Sequence, residues 1–128
     1  MATREREKAL ARKALSAANP GFASLRGLKM SARKVRVIAD MIRGRGVEEA
    51  MTQLTVQAKA SAKPLRRLLQ SALANAEQRG LNVDNLCVAE IQVHKGPIGR
   101  RFMPRAQGRA TPIRKQTSHV DVQLREVK

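Results

Sequence analysis

The sequence has no tryptophan, no tyrosine and only two phenylalanines in 128 residues. Fewer than a quarter of its residues are Leu, Ile, Val or Phe. So small an apolar stock can fill a modest core, but not one that reaches the whole chain. Acidic side chains are scarce too, ten against 26 lysines and arginines, which leaves a formal charge of +16. No apolar run approaches the roughly 18 residues that a membrane-spanning helix requires. The opening segment MATREREKALARKALSAA is charged where a secretory signal would be apolar, and Glu5 and Glu7 argue against a transit peptide. The single cysteine, Cys87, has no internal disulfide partner, which fits a reducing, cytoplasmic setting. One cysteine and two histidines fall short of a four-ligand zinc site unless carboxylates join, so no metal and no cofactor are expected. There is no Walker loop and no GxGxxG. Asp40, Glu48, Glu49, Glu77, Asp84 and Glu90 show no paired-acid spacing, and no nucleophile stands with a base, so no enzyme is expected.

What is abundant is positive charge, and it is unevenly placed. Residues 1–36 hold ten basic and two acidic side chains, residues 37–94 seven and six, and residues 95–115 seven and none. The balanced middle is where a core belongs. The two basic ends call for a polyanion, with nucleic acid the first candidate and an anionic membrane surface the second.

Residues 3–18 are strong helix formers, with Thr3 as a cap and Glu5 and Glu7 in the first turn. Only Leu10, Leu15 and alanines supply apolar surface there, and Asn19-Pro20-Gly21 ends the pattern. Residues 1–21 therefore read as a basic N-terminal extension, helical or ordered only on a partner, ahead of a single domain over 22–128. Phe22 to Lys29 suits a short strand weakened by Gly27. Ser31 is a good N-cap, and Val35, Ile38, Ala39 and Ile42 mark a helix over about 32–43 that Gly44 stops. Val47, Ala50, Met51 and Leu54 repeat the spacing in a second helix. Ala58, Ala62, Leu65, Leu69, Ala72 and Ala76 form the stripe of a third, from about Ser61 to Arg79 because Pro64 must sit in its first turn. Asn75 and Glu77 read as polar positions on its exposed side. Leu86 to His94 reads as a strand with Cys87, Ala89, Ile91 and Val93 on one face and Leu86 and Val88 on the other. Cys87 is then a buried small hydrophobe. Val120, Val122 and Leu124 alternate with Asp121 and Gln123 in a half-buried strand.

Between these last two strands lies KGPIGRRFMPRAQGRATPIRKQTS, which has almost no core-forming power. Lys95, Arg100, Arg101, Arg105, Arg109, Arg114 and Lys115 are spread along it without an acid. Three glycines permit close backbone approach and three prolines stiffen it. Flanked by two strands that suit an antiparallel pair, it should leave the domain as an extended hairpin arm over about 95–117. Arginine's planar fork matches phosphate. A solvated linker is the alternative. A second basic patch is formed by Arg33, Lys34 and Arg36 at the start of the first core helix, extended by Arg26 and Lys29. Lys63, Arg66 and Arg67 read as a solvent face. If the arm is symmetric about Ala106 and Gln107, His94 and His119 sit opposite each other at its base, in a hydrogen-bonded structural role rather than as metal ligands. A sequence-tolerant DNA-binding dimer with hairpin arms also fits the charge. The single arm and the want of a dimer interface speak against it, and no homo-oligomer is expected.

Four blocks carry a resemblance: SARKVRVIADMIRGRGVEEAM (Ser31 to Met51), QSALANAE (Gln70 to Glu77), GPIGRRFMPRAQGRA (Gly96 to Ala110) and IRKQTSHVDV (Ile113 to Val122). In order and spacing they resemble the family of the twenty-second protein of the large ribosomal subunit, over about residues 23–126. The tail before Phe22 and Pro64 in the third helix depart from the family pattern. The resemblance implies an α+β fold, with a small three-stranded antiparallel sheet packed with three helices and a long extended β-hairpin arm. It further implies a structural role in the large subunit. That role is binding of 23S-type ribosomal RNA and support of early assembly, beside neighbouring large-subunit proteins. The globular part would sit near the outer opening of the nascent-chain exit tunnel. The arm's tip, Arg101, Phe102, Met103, Pro104, Arg105, Ala106, Gln107, Gly108 and Arg109, would meet the nascent chain as part of the tunnel wall.

Overall fold

Val35, Ile38, Ala39 and Ile42 are all buried on one side of a single helix, as their spacing requires. The computed structural model describes residues 2–127. The side chains of Ala2, Thr3, Arg12, Leu15, Ser16 and Ala17 lie outside the described set, and with them the expected Thr3 cap. In chain order the elements are α1 (Ala2–Ala18), β1 (Gly21–Leu28), α2 (Ala32–Ile42), α3 (Val47–Val56), α4 (Ala62–Gln78), β2 (Leu86–Lys95), β3 (Gly99–Pro104), β4 (Ala110–Lys115) and β5 (Ser118–Glu126). β1, β5 and β2 form an antiparallel sheet in that order, and β3 and β4 form a separate two-stranded ribbon. The fold is α+β as expected.

Helices α2, α3 and α4 bury their stripes against one face of the three-stranded sheet. Leu65, Leu69, Ala72 and Ala76 of α4 meet Val120, Val122 and Leu124 of the central strand in one apolar cluster. Burying each Val or Leu fully contributes about 1.5–3 kcal/mol. α4 begins after Ser61, so Pro64 falls in its first turn, where no intrahelical N–H bond is lost. Ala58 lies before the helix and is exposed, so the stripe starts at Ala62. Asn75 is half-buried and not on an exposed side. Its Nδ2 donates to the Phe22 carbonyl at 3.0 Å and ties α4 to β1.

Two bulges shape the sheet. In β1, Leu25 pairs with Val120 and Leu28 with Ser118, so two residues face one. Gly27 supplies the positive φ of +69° that this bulge uses, and its N–H donates to His119 Nδ1 at 3.0 Å. The glycine that weakens a regular strand is here what re-aims it.

In β2 the ladder runs Val88 with Leu124, then Glu90 with Gln123, leaving Ala89 as an extra residue. The bulge inverts the alternation partway along the strand. Leu86, Val88, Ile91 and Val93 therefore all face the core, and the expected division into two apolar faces does not hold. Cys87 accordingly points away from the core and is half-buried. Cys87→Ser is then expected to move stability by no more than about 0.5 kcal/mol, as for a surface substitution, not the 1–3 kcal/mol of a buried site. Thermal melting of the two proteins checks it, and a drop of many degrees would return the thiol to the core.

Candidate nucleic-acid interface

β2 and β5 continue past the sheet edge into the arm. His94 stands opposite His119, and Lys95 opposite Ser118. His94 bonds Gln92 at 3.2 Å and His119 accepts from Gly27, so both rings are held in hydrogen bonds. Beyond them Gly96 N–H donates to the Thr117 carbonyl at 2.9 Å, and Thr117 Oγ1 donates to the Pro97 carbonyl at 2.6 Å. A Cβ on Gly96 would run into Thr117, so only glycine fits this crossing. Pairing then resumes at Gly99 with Lys115 and runs to Pro104 with Ala110. Gln107 and Gly108 turn the tip with φ of +60° and +67°, and Arg105 N–H closes it on the Arg109 carbonyl at 2.7 Å.

The ribbon buries almost nothing. From Gly99 to Pro112 every residue is exposed, with Phe102 at 70%. Arg100 stands opposite Arg114, a like-charged cross-strand pair that destabilises the bare ribbon. Where the arm leaves the domain it passes α2, and the two enclose a cleft of about 900 Å³. Lys29 and Lys34 line one wall and Arg100, Arg101, Arg114 and Lys115 the other, with no acidic residue between them. Ser31, the N-cap of α2, also faces this cleft. The helix therefore adds the positive end of its dipole to the six cations. Two basic stretches about seventy residues apart in sequence thus form one concave surface suited to a phosphate backbone.

The family profile described as ribosomal protein L22p/L17e matches residues 23–125. The chain belongs to this family. It is a protein of the large ribosomal subunit, and its place is the ribosome in the cytoplasm. It is 50% identical over 109 residues to the large ribosomal subunit protein uL22 of Myxococcus xanthus, covering 83% of this chain and 96% of that protein. It is 52% identical over 103 residues to the protein of that name from Geobacter metallireducens, covering 80% and 94%. For Bdellovibrio bacteriovorus the figures are 47% over 105 residues, covering 81% and 96%. The matched span contains the cleft and the whole arm, and leaves α1 outside it.

Not every expected cation lies at this surface. Arg26 is on the other face of the sheet, paired with Asp121 at 2.9 Å. Arg36 reaches back from α2 and donates to the Val93 carbonyl at 3.1 Å, and Arg43 does the same to the Ile91 carbonyl at 3.0 Å. These two arginines fasten α2 to β2, a role that sequence reading missed because the register of β2 was not visible in it. Arg33 and Lys95 are exposed near the cleft without lining it, and Arg105 and Arg109 sit at the far tip. Lys63 and Arg67 are exposed as expected, whereas Arg66 is half-buried and reaches Thr55 Oγ1 at 3.5 Å.

A pair of substitutions separates the two kinds of cation. Arg36→Gln should lower stability by about 1 kcal/mol through the lost carbonyl bond while leaving RNA affinity within about twofold. Lys34→Gln should do the reverse, with an unchanged melting temperature and a salt slope flatter by about one. Melting curves beside filter binding read both.

Proposed function

We propose that this chain is a structural RNA-binding protein of the large subunit. It grips 23S-type ribosomal RNA between its arm and α2, supports subunit assembly among neighbouring proteins, and presents the tip Arg101–Arg109 at the wall of the nascent-chain tunnel. The observation that carries this reading is the acid-free cleft continuous with an arm in which Arg100 and Arg114 oppose one another. Phosphates seated between Arg100 and Arg114 would turn their repulsion into attraction on both sides. A two-stranded ribbon is at best marginally stable alone in water, so the arm gains its order from what it enters. Phe102, exposed with Met103 and Ile98, is available for stacking on bases. Residues 22–128 act as one RNA-binding domain.

Titration of the protein against a 23S-type RNA fragment tests this. The six cleft cations alone should contribute about −4 to −5 to the slope of log affinity against log salt, and duplex DNA at matched salt should bind more weakly. A slope near zero, or equal affinity for duplex DNA, would overturn the reading.

A further inference from the structure

α1 lies outside the span that matches the family, yet it is a full helix of 17 residues. Its described side chains, from Arg4 to Ala11 with Lys13, Ala14 and Ala18, are all exposed, and Leu10 is 62% so. Tertiary burial supplies most helical stability in proteins, and α1 has little of it. Its attachment is nevertheless defined: Gln123 Nε2 donates to Asn19 Oδ1 at 2.6 Å, and Lys13 lies beside Arg26 of β1 over a hollow that reaches Asn75 of α4. The helical period sets Arg4 and Lys8 on one side and Arg6 and Lys13 on the opposite side, with Glu5 and Glu7 between. Two opposed basic edges without an apolar stripe do not suit a membrane surface, which needs one broad hydrophobic face. They suit phosphate backbone: Arg4 and Lys8 lie on the side opposite Lys13, and Lys13 shares its hollow with Arg26.

We propose that α1 is a second RNA-binding element of this chain, its basic side chains set on ribosomal RNA phosphates independently of the arm. This rests on the reading of the chain as a binder of ribosomal RNA.

The test compares full-length protein with the triple variant Arg4→Gln, Arg6→Gln, Lys13→Gln, chosen because glutamine keeps helix propensity. Binding is measured to a 23S-type RNA fragment and to vesicles containing phosphatidylserine. The triple variant should melt as the parent does, lose at least tenfold in RNA affinity at 0.15 M salt, and show a slope flatter by two to three. The same loss should appear in a protein whose arm has been shortened, because the two elements act separately. Unchanged RNA affinity in the triple variant overturns the inference, as does vesicle binding that depends on these residues while RNA binding does not. If shortening the arm leaves RNA affinity intact while the triple variant loses it, the arm-and-cleft reading fails and α1 stands as the RNA contact. A removal of residues 2–18 serves as the second variant and, because it also takes out Lys8 and Arg12, should flatten the slope at least as much.

Discussion

Replacing Arg100–Arg114 with an Asn-Gly turn is expected to leave a folded domain that has lost most of its RNA affinity. Gly99 and Lys115 stand opposite each other in the ladder, so a two-residue turn joins them in register. No residue removed belongs to the apolar cluster, and the bonds at Gly96 and Thr117 that anchor the base stay in place. The melting temperature should therefore move by only a few degrees, helped slightly by the shorter loop. The deletion takes out five arginines, three of them on the cleft wall. Each lost phosphate contact flattens the salt slope by about one, so the slope should fall by three or more and affinity at 0.15 M salt by at least a hundredfold. Circular dichroism and filter binding on the same preparations decide it. Unfolding would make the arm part of the core, and unchanged binding would leave its charge as a solvated loop.

Much of this division was legible in the residues because each part obeys a local rule. The stripe of α2 needs only a 3.6-residue period, and the arm needs only a long acid-free segment between two strands. The opposition of His94 and His119 followed from counting inward to the tip. What escaped depends on register, which no local window carries. Arg26 finds Asp121 95 residues away because β1 and β5 align them. Arg36 meets the Val93 carbonyl because α2 lies across β2 at one phase. The site was read as one list of cations, and the structure divides that list. Lys29, Lys34, Arg100, Arg101, Arg114 and Lys115 face a common space, Arg105 and Arg109 stand at the tip, and Arg26 and Arg36 are held by the protein itself.

The bulge at Ala89 is the sharpest case, and two single-residue deletions expose it. With Ala89 present, Leu86 and Val88 lie in phase with Ile91 and Val93 only because one residue is left over. Deleting Ala89 joins Val88 to Glu90, whose partners Leu124 and Gln123 are already consecutive in β5. Alternation then runs unbroken through Leu86, Val88, Ile91 and Val93, and every core side chain keeps its place. That protein should fold, with a melting temperature lowered by less than about 10 °C for the lost local curvature. Deleting Gln92 instead removes a residue from a stretch already in register. Either Val93 and everything after it turn outward, bringing His94 into the core, or the bulge at Ala89 closes to absorb the loss, which keeps Leu86 and Val88 in place but turns Ile91 out and Glu90 inward. Burying an unpaired charge costs several kcal/mol, and exposing an isoleucine or valine adds about 1.5–3. The sum approaches the whole stability of a small domain, about 5–15 kcal/mol. The Gln92 deletion should therefore show no cooperative melt while the Ala89 deletion keeps one. If both deletions unfold the protein, the extra residue is required and β2 tolerates no regular pairing with β5. If both fold, the register of β2 is not fixed by its buried face, and the placement of Cys87 outside the core loses its basis.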